Sequence, residues 1–167
     1  MAKTFLDQLV EYPAKVMQKI TQSQECVGLI LNKSYASLTE DDYDTVLEQN
    51  IFDYQYVDST TQKTTAYVWV ELDITRVQNE QIKDVKLYVT VMCHKNYMDL
   101  DPTIFSGLLG NRRDNIVRYI DKEIHSSEDF GIGKLILESV RAISPINNFT
   151  GRELTYTIPD FNKVKIS

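Results

Sequence analysis

The sequence predicts an α+β fold in which helices pack on one face of an antiparallel sheet. Three observations support this prediction. A central segment, 64–94, alternates apolar and polar residues on each side of a polar stretch, which is typical of a long β-hairpin. Segments before and after it carry apolar residues three and four positions apart, which is typical of amphipathic helices. Two further alternating segments near the end of the chain supply additional strands.

The hairpin is predicted to present one apolar face along both arms, because every second residue on each arm is apolar. These residues are Ala66, Val68, Val70, Leu72 and Ile74 on the first arm and Val85, Leu87, Val89, Val91 and Cys93 on the second. We place the turn at Asn79 and Glu80, since this register pairs apolar with apolar residues and acid with base. The residues placed opposite each other are then Ile74 and Val85, Leu72 and Leu87, Val70 and Val89, and Asp73 and Lys86.

The chain begins with a predicted amphipathic helix over residues 4–21. Its apolar face consists of Phe5, Leu9, Tyr12, Val16 and Ile20. Pro13 lacks a backbone donor, so the helix either kinks there or restarts with Pro13 in its first turn. Ser23 can cap a second short helix that carries Cys26. Because Cys26 and Cys93 lie in dissimilar elements, we expect two reduced, buried thiols rather than a disulfide.

An acidic segment precedes the hairpin. Thr39 and Asp42 have the spacing of a capping box, which predicts a helix over 40–48 whose acids face solvent rather than a metal ion. Residues 51–57 alternate again and predict a strand that forms an open sheet edge. The polar loop 58–63 has nothing to bury, so we expect it to be mobile and to become ordered against a partner.

After the hairpin, one helix and two strands complete the predicted fold. Asn111 can cap a helix over 112–126, whose apolar stripe is expected to cover the hairpin. The stripe consists of Ile116, Val117, Ile120 and Ile124, and the polar side contains Arg112, Asp114, Arg118, Asp121, Lys122 and Glu123. A strand over 134–143 is predicted to have a bulge near Glu138, because its alternation slips there. The last strand covers 152–158, with Leu154, Tyr156 and Ile158 facing inward.

The composition indicates a single acidic domain over residues 1–167, with an ordered core over 4–161 and a C-terminal tail over 159–167. Lys and Arg number 18 against 24 Asp and Glu, and the resulting charge of -6 disfavours binding nucleic acid over a broad surface. No window approaches the run of about 18 apolar residues that a membrane span requires. Since Asp7 interrupts the N-terminal segment before an apolar core forms, we expect no secretory signal and a cytoplasmic site of assembly.

No segment predicts a convincing catalytic site. Asp73, Asp84 and Lys86 resemble the core of PD-(D/E)xK nucleases, which makes a metal-dependent nuclease the alternative function. The basic groove that such an enzyme needs for DNA is not evident, so a solvent-facing pair of Asp73 with Lys86 is favoured. His94 and His125 are the two histidines and show no zinc-site spacing with the cysteines, which favours structural roles for both. We therefore predict no catalytic residue, no metal ligand and no cofactor.

Aromatic residues beside the hairpin predict an interface between copies of the chain. Tyr67, Trp69 and Tyr88 lie in a row on the less apolar face of the hairpin, whereas ordinary surface aromatics are scattered singly. The candidate interface residues are Phe52, Tyr54, Tyr56, Tyr67, Trp69 and Tyr88. Together with the open strand over 51–57 they lead to the hypothesis of self-assembly. An adaptor that accepts a peptide strand at the same edge is a further non-enzymatic possibility.

The order of these elements resembles a family of phage proteins. An N-terminal helix is followed by Phe-Asp-Tyr-Gln-Tyr at 52–56, by a hairpin arm ending Tyr-Val-Thr-Val-Met-Cys-His at 88–94, and by the helix start Gly-Asn-Arg-Arg-Asp at 110–114. Two strands then close the chain. Over residues 4–161 this layout is similar to the tail terminator and neck proteins of tailed bacteriophages, which share no invariant catalytic motif.

This resemblance implies a non-enzymatic structural protein of the virion. Its subunit is expected to form a ring, typically sixfold, that caps the tail tube or joins the tail to the head. The implied partners are further copies of the chain, the tail tube and the neck or connector proteins, with no membrane. DNA would be passing cargo, which suits an acidic protein because few phosphates would be neutralised.

Overall fold

The structure, a computed structural model, describes residues 6–78, 81–128 and 134–157. Within these residues it has an α+β fold with four α-helices and a five-stranded sheet. The helices are α1 (Asp7–Thr21), α2 (Gln24–Leu31), α3 (Glu40–Gln49) and α4 (Arg112–Ile124), and the strands are β1 (Ile51–Phe52), β2 (Ala66–Gln78), β3 (Gln81–His94), β4 (Ile136–Ile146) and β5 (Phe149–Thr157). The strand order across the sheet is β1-β2-β3-β5-β4.

The sheet is mixed, which corrects the prediction of a wholly antiparallel one. β2 with β3, β3 with β5 and β4 with β5 are antiparallel, but β1 pairs with β2 in parallel. The strand predicted over 51–57 ends at Phe52, where a bend at Asp53 and Tyr54 takes the chain out of the sheet. The connection 53–65 then returns the chain to the end at which β1 began, so β2 runs in the same direction as β1.

β2 and β3 pair in the register that the alternation predicted. The opposite residues include Ile74 and Val85, Leu72 and Leu87, Val70 and Val89, and Asp73 and Lys86. Near the far end of the arms two register shifts interrupt the pairing, so the hairpin is not uniform along its length. The predicted turn at Asn79 and Glu80 lies outside the described residues. In β4, a register shift between Leu137 and Ser139 confirms the bulge predicted near Glu138.

The predicted N-caps are present on three helices. The Ser23 side chain accepts a hydrogen bond from an amide in the first turn of α2 at 3.3 Å. Thr39 and Asp42 form the capping box of α3, with the Thr39 amide 3.0 Å from Oδ2 of Asp42. Asn111 caps α4 by accepting from the amide of Asp114 at 2.8 Å. Each cap gives a partner to an amide that the start of a helix leaves without one.

The main core lies between the helices and one face of the sheet, named here the helix face. α1 packs on β2, and α4 packs on β3 and β5. The fully buried residues of the predicted α4 stripe are Ile116, Ile120 and Ile124. Tyr156 of β5 is buried beside them and donates from its hydroxyl to Asp121 at 2.8 Å. α1 continues through Pro13 as one helix, and Cys26 and Cys93 are buried and unbridged as predicted.

Arg112 does not lie on the solvated side of α4, where the sequence placed it. Arg112 is only 2% exposed. The guanidinium donates to the carbonyls of Tyr97 at 2.7 Å and Leu29 at 2.6 Å. It also donates to the side-chain oxygen of Asn32 at 2.8 Å and to the carbonyl of Asp99 at 3.0 Å. Burial lowers the pKa of Arg112, but each of its three guanidinium nitrogens donates at least one hydrogen bond, so it joins α4 to the end of α2 and to the segment after β3.

Candidate subunit interface

The structure divides the six aromatic residues predicted for the interface between different surroundings. Phe52, Tyr54, Tyr56 and Tyr67 form an aromatic cluster where the chain leaves β1. The rings of Phe52 and Tyr56 are stacked with their centroids 4.0 Å apart, and the centroid of Tyr67 lies 4.9 Å from that of Tyr56. Tyr54 is 54% exposed and Tyr56 is 37% exposed. The cluster therefore offers two accessible rings at the end of β1.

Tyr67 and Trp69 correct the expectation of a free aromatic face on the hairpin. They are only 3% and 5% exposed, because the segment 52–65 folds across this second face of the sheet, named here the loop face. The other buried residues of this second core are Val57, Met92 and Phe149. Alternation within the hairpin could not reveal this cover, since Val57 and Phe52 supply it from a segment outside the hairpin.

The loop 58–63 makes specific contacts within the chain. Asp58 accepts hydrogen bonds from the hydroxyl and the amide of Thr60 at 2.6 and 2.7 Å, and these bonds lower the pKa of Asp58. Asn147, in the turn between β4 and β5, donates to the carbonyl of Thr61 at 3.1 Å. The loop is thus attached to the far side of the sheet, although its sequence contains little that could be buried.

A cleft of about 410 Å³ opens beside β2 at the point where β1 ends. The residues that line it are Leu9, Pro13, Asp53, Glu71, Leu72, Asp73, Tyr88 and Glu153. α1 supplies an apolar rim, and four of the eight lining residues are carboxylates from three different parts of the chain. Tyr88, the sixth predicted interface aromatic, is half-buried here and is separate from the aromatic cluster.

The negative charges of neighbouring carboxylates in the cleft change the pKa of Glu71. Partial burial raises the pKa of Glu71, and the negative charges of Asp73 and Glu153 raise it further. Arg141 on β4 donates to Glu153 at 2.9 Å and compensates part of this charge. In the part of the chain that the structure describes, no group of three His, Cys, Asp or Glu residues is arranged to hold a metal ion. The cleft is an acidic surface with an apolar rim.

The residues of the alternative nuclease site are only partly brought together. Asp73 and Lys86 are opposite each other in the register, yet the amine of Lys86 lies 3.3 Å from Oε2 of Glu138 on β4. The expected cross-strand pairing of Asp73 with Lys86 is thus confirmed in the register, whereas the ion pair of Lys86 is made with Glu138, beside the register shift in β4. Asp84 is opposite Arg76 in the backbone register, and its side chain lies outside the described part.

Both histidines have the structural roles that were predicted. His94 is 5% exposed, accepts from the amide of Asn96 through Nδ1 at 3.1 Å, and packs edge-on against the ring of Phe149. Nδ1 of His125 accepts from the amide of Leu137 at 3.2 Å and so connects the end of α4 to β4. Each imidazole ring thus accepts a hydrogen bond that holds a neighbouring segment in place.

The sheet has an open edge on the side of β4. β4 is the outermost strand along its whole length, and no described strand pairs with its outer side. Ile136 and Val140 are 40% and 44% exposed there. Sequence reasoning missed this edge, although the edge strand that it predicted within 51–57 is confirmed by β1 on the other side of the sheet. Pro145 within β4 was the available signal, because proline is tolerated mainly in edge strands.

The opposite side of the sheet is open as well, beyond the short β1. β1 is paired only with Val68 and Trp69 of β2. From Val70 onward, no strand in the described ranges lies next to β2 on that side. The cleft borders this free part of β2 at Leu72. The two open edges therefore differ in length, flanking charge and neighbouring elements.

Comparison with known proteins identifies a family for this chain. The family described as YomW matches residues 23–158, which extend from the cap of α2 to the end of β5. No curated protein and no solved structure matches the chain significantly. None of the described helices combines the length and the apolar character needed to cross a bilayer. Since the match covers most of the sequence, the chain belongs to the YomW family, which is phage-derived.

Proposed function

We propose that the protein is a non-enzymatic structural protein of the virion. It forms a ring at the end of the phage tail tube or in the neck, joins the tail to the head and lets DNA pass. Its phage-derived family supports a role in a phage. The resemblance of its sequence layout to tail terminator and neck proteins motivates this position in the particle.

This proposal rests on the observation that the two open edges of the sheet differ from each other. One edge is the full length of β4, and the other is the part of β2 that β1 leaves free beside the acidic cleft. A contact between two unlike surfaces repeats head to tail from copy to copy. Such a series closes into a ring when the rotation between neighbours divides a full turn. Head-to-tail assembly of this chain is thus the simplest use of both edges.

The charge of the protein supports a channel through which DNA passes without being held. The net charge is -6, and the cleft adds a local concentration of carboxylates. Binding to DNA depends on neutralising its phosphates with Lys and Arg. An acidic ring therefore retains DNA weakly. Its binding partners are further copies of the chain, in a ring for which six subunits is the expected number, together with the tail tube and the neck or connector proteins.

Sedimentation velocity and negative-stain microscopy of the purified protein, with and without tail tubes, test this proposal. We expect closed rings of uniform diameter, or particles seated at tube ends, as the protein concentration rises. An unrelated acidic protein of similar mass is the control for non-specific attachment to tubes. A single monomeric species at every concentration, with tube ends left bare, would contradict the proposal.

The alternative is a metal-dependent nuclease that uses Asp73, Asp84 and Lys86. The position of Asp73 beside Glu71 in the cleft favours it, since paired carboxylates are typical ligands of divalent cations. A DNA-cleavage assay with magnesium or manganese separates it from the structural proposal. Cleavage that Lys86→Ala abolishes would support the nuclease, and the lack of metal-dependent cleavage by the wild type would dismiss it.

A further inference from the structure

The directions of the backbone amides show which groups are available at the free part of β2. Amides of successive residues in a strand point to opposite neighbours. The amide of Val68 donates to the carbonyl of Asn50, on the β1 side, at 2.8 Å. Val70 and Leu72 lie two and four residues further along, so their amides point to the same side. Both amides lie beyond the end of β1 and so face the open edge.

The same reasoning identifies the outward amides of β4. Where the amide of one residue points towards the neighbouring strand, the residue opposite it points back, so the directions found on β2 can be followed through β3 to β5. On β4, the amide and carbonyl of Arg141 therefore face β5, where Arg141 is opposite Glu153. Val140 and Ala142 flank Arg141, so their amides and carbonyls point away from the sheet. No strand in the described ranges lies on that side to receive them.

The directions of the strands allow these two edges to meet in neighbouring copies. β2, β3, β5 and β4 alternate in direction across the sheet, so β4 runs opposite to β2. A second copy, related by rotation about an axis along the strands, presents its β2 antiparallel to the first copy's β4. The alternation then continues from one copy to the next without a break. Antiparallel pairing is also the slightly more stable arrangement per residue.

The side chains at the two edges are complementary. On the β2 side the acidic residues are Asp53, Glu71 and Asp73. On the β4 side the side chain of Arg141 is 69% exposed even though it contacts Glu153. Both edges also have an exposed apolar residue, which is Val140 on β4 and, on the other side, Leu9 of α1 at the cleft. Apolar contact and opposite charge thus favour the same pairing as the backbone.

We infer that β4 of one copy pairs antiparallel with residues 70–74 of β2 in the next copy. The sheet is then continuous between subunits, and the exposed side chains of β4 lie against the cleft. This inference rests on the proposed function in taking a second copy as the partner. It adds the surface through which the copies join and the amides that make the contact.

A proline substitution on β4 tests the contact. Ala142→Pro removes an outward amide but no hydrogen bond to β5, and edge strands tolerate proline at such positions. Ala142→Thr is the matched control, since it keeps the amide and favours a strand. We expect Ala142→Pro to weaken self-association by at least about tenfold and Ala142→Thr to change it by less than about twofold. Equal assembly of the two folded variants would overturn the inference.

Amide hydrogen exchange of the wild type provides a measurement that does not depend on a variant folding. Protection of Val70, Leu72, Val140 and Ala142 is expected to rise with protein concentration, whereas that of Arg141 changes little. Assembled rings in which the four amides stay unprotected would overturn the inference and leave the proposed ring intact. Oligomers that protect these amides but neither close nor bind tubes would support the inference and contradict the ring. A protein that remains monomeric contradicts both.

Discussion

Arg112 and Tyr97 contact each other in two ways. The guanidinium carbon lies 4.1 Å from the centroid of the Tyr97 ring, and Nε donates to the Tyr97 carbonyl at 2.7 Å. The remaining donors bind acceptors at the end of α2 and at Asp99. A single buried cation therefore connects three segments that are far apart in the sequence, and hydrogen bonds from a charged group are stronger than neutral ones.

Arg112→Ala is expected to lower the free energy of unfolding by about 3 kcal/mol or more, because several buried acceptors lose their donor at once. Urea denaturation followed by circular dichroism measures this. Arg118→Ala is the control on the same helix, since Arg118 is exposed and its guanidinium carbon lies over the ring of Tyr119, 4.7 Å from the centroid. Arg118→Ala is expected to lower the free energy of unfolding by less than about 1 kcal/mol. Similar costs for the two variants would be inconsistent with the bonding of Arg112.

Trp69→Ala is expected to reduce stability by about 3–5 kcal/mol, because Trp69 is buried in the second core on the loop face. Tyr54→Ala should cost less than about 1 kcal/mol, since Tyr54 is 54% exposed. Thermal denaturation of both variants checks these values. Tyr54→Ala is therefore the variant suited to testing the aromatic cluster in assembly. A small loss for Trp69→Ala would show that segment 52–65 does not cover it.

Gly151→Ala is expected to destabilise the protein by about 1–3 kcal/mol, because a Cβ at Gly151 would overlap the sulfur of Met92. Met92→Ala removes that sulfur and leaves room for the added methyl group. The double variant should therefore be less destabilised than the sum of the two single variants. A double-mutant cycle in urea measures the difference. Strict additivity would count against this close packing of Gly151 and Met92.

Glu71→Gln is expected to raise the midpoint of thermal unfolding near neutral pH. The pKa of Glu71 is raised in the folded protein by partial burial and by Asp73 and Glu153, so the folded state binds the proton more tightly than the unfolded chain. Stability of the wild type consequently increases as the pH falls through this raised pKa towards the unfolded value of about 4.3. The advantage of the variant should be present at neutral pH and disappear near that lower value. Unfolding midpoints measured across this range would refute the prediction if their difference stayed constant.

The sequence predicted those parts of the fold that depend on neighbouring residues. The caps at Ser23, Thr39 and Asn111 each join groups only three residues apart. The register of β2 and β3 follows from two alternating arms on either side of one turn. The bulge at Glu138 appears as a slip in one alternating pattern. Only two of the six predicted interface aromatics, Tyr54 and Tyr56, prove to be substantially exposed.

By itself, then, the sequence determined the helices, their caps, the register of the central strands and the apolar face that the helices cover. The tertiary structure decided which residues are buried and which edges are open. Arg112 is buried because acceptors from distant segments surround it, and Trp69 because Val57 and Phe52 from segment 52–65 pack in the same cluster. The open edges arise because β1 is short and β4 is outermost. These features depend on contacts between remote parts of the chain, which local patterns do not encode.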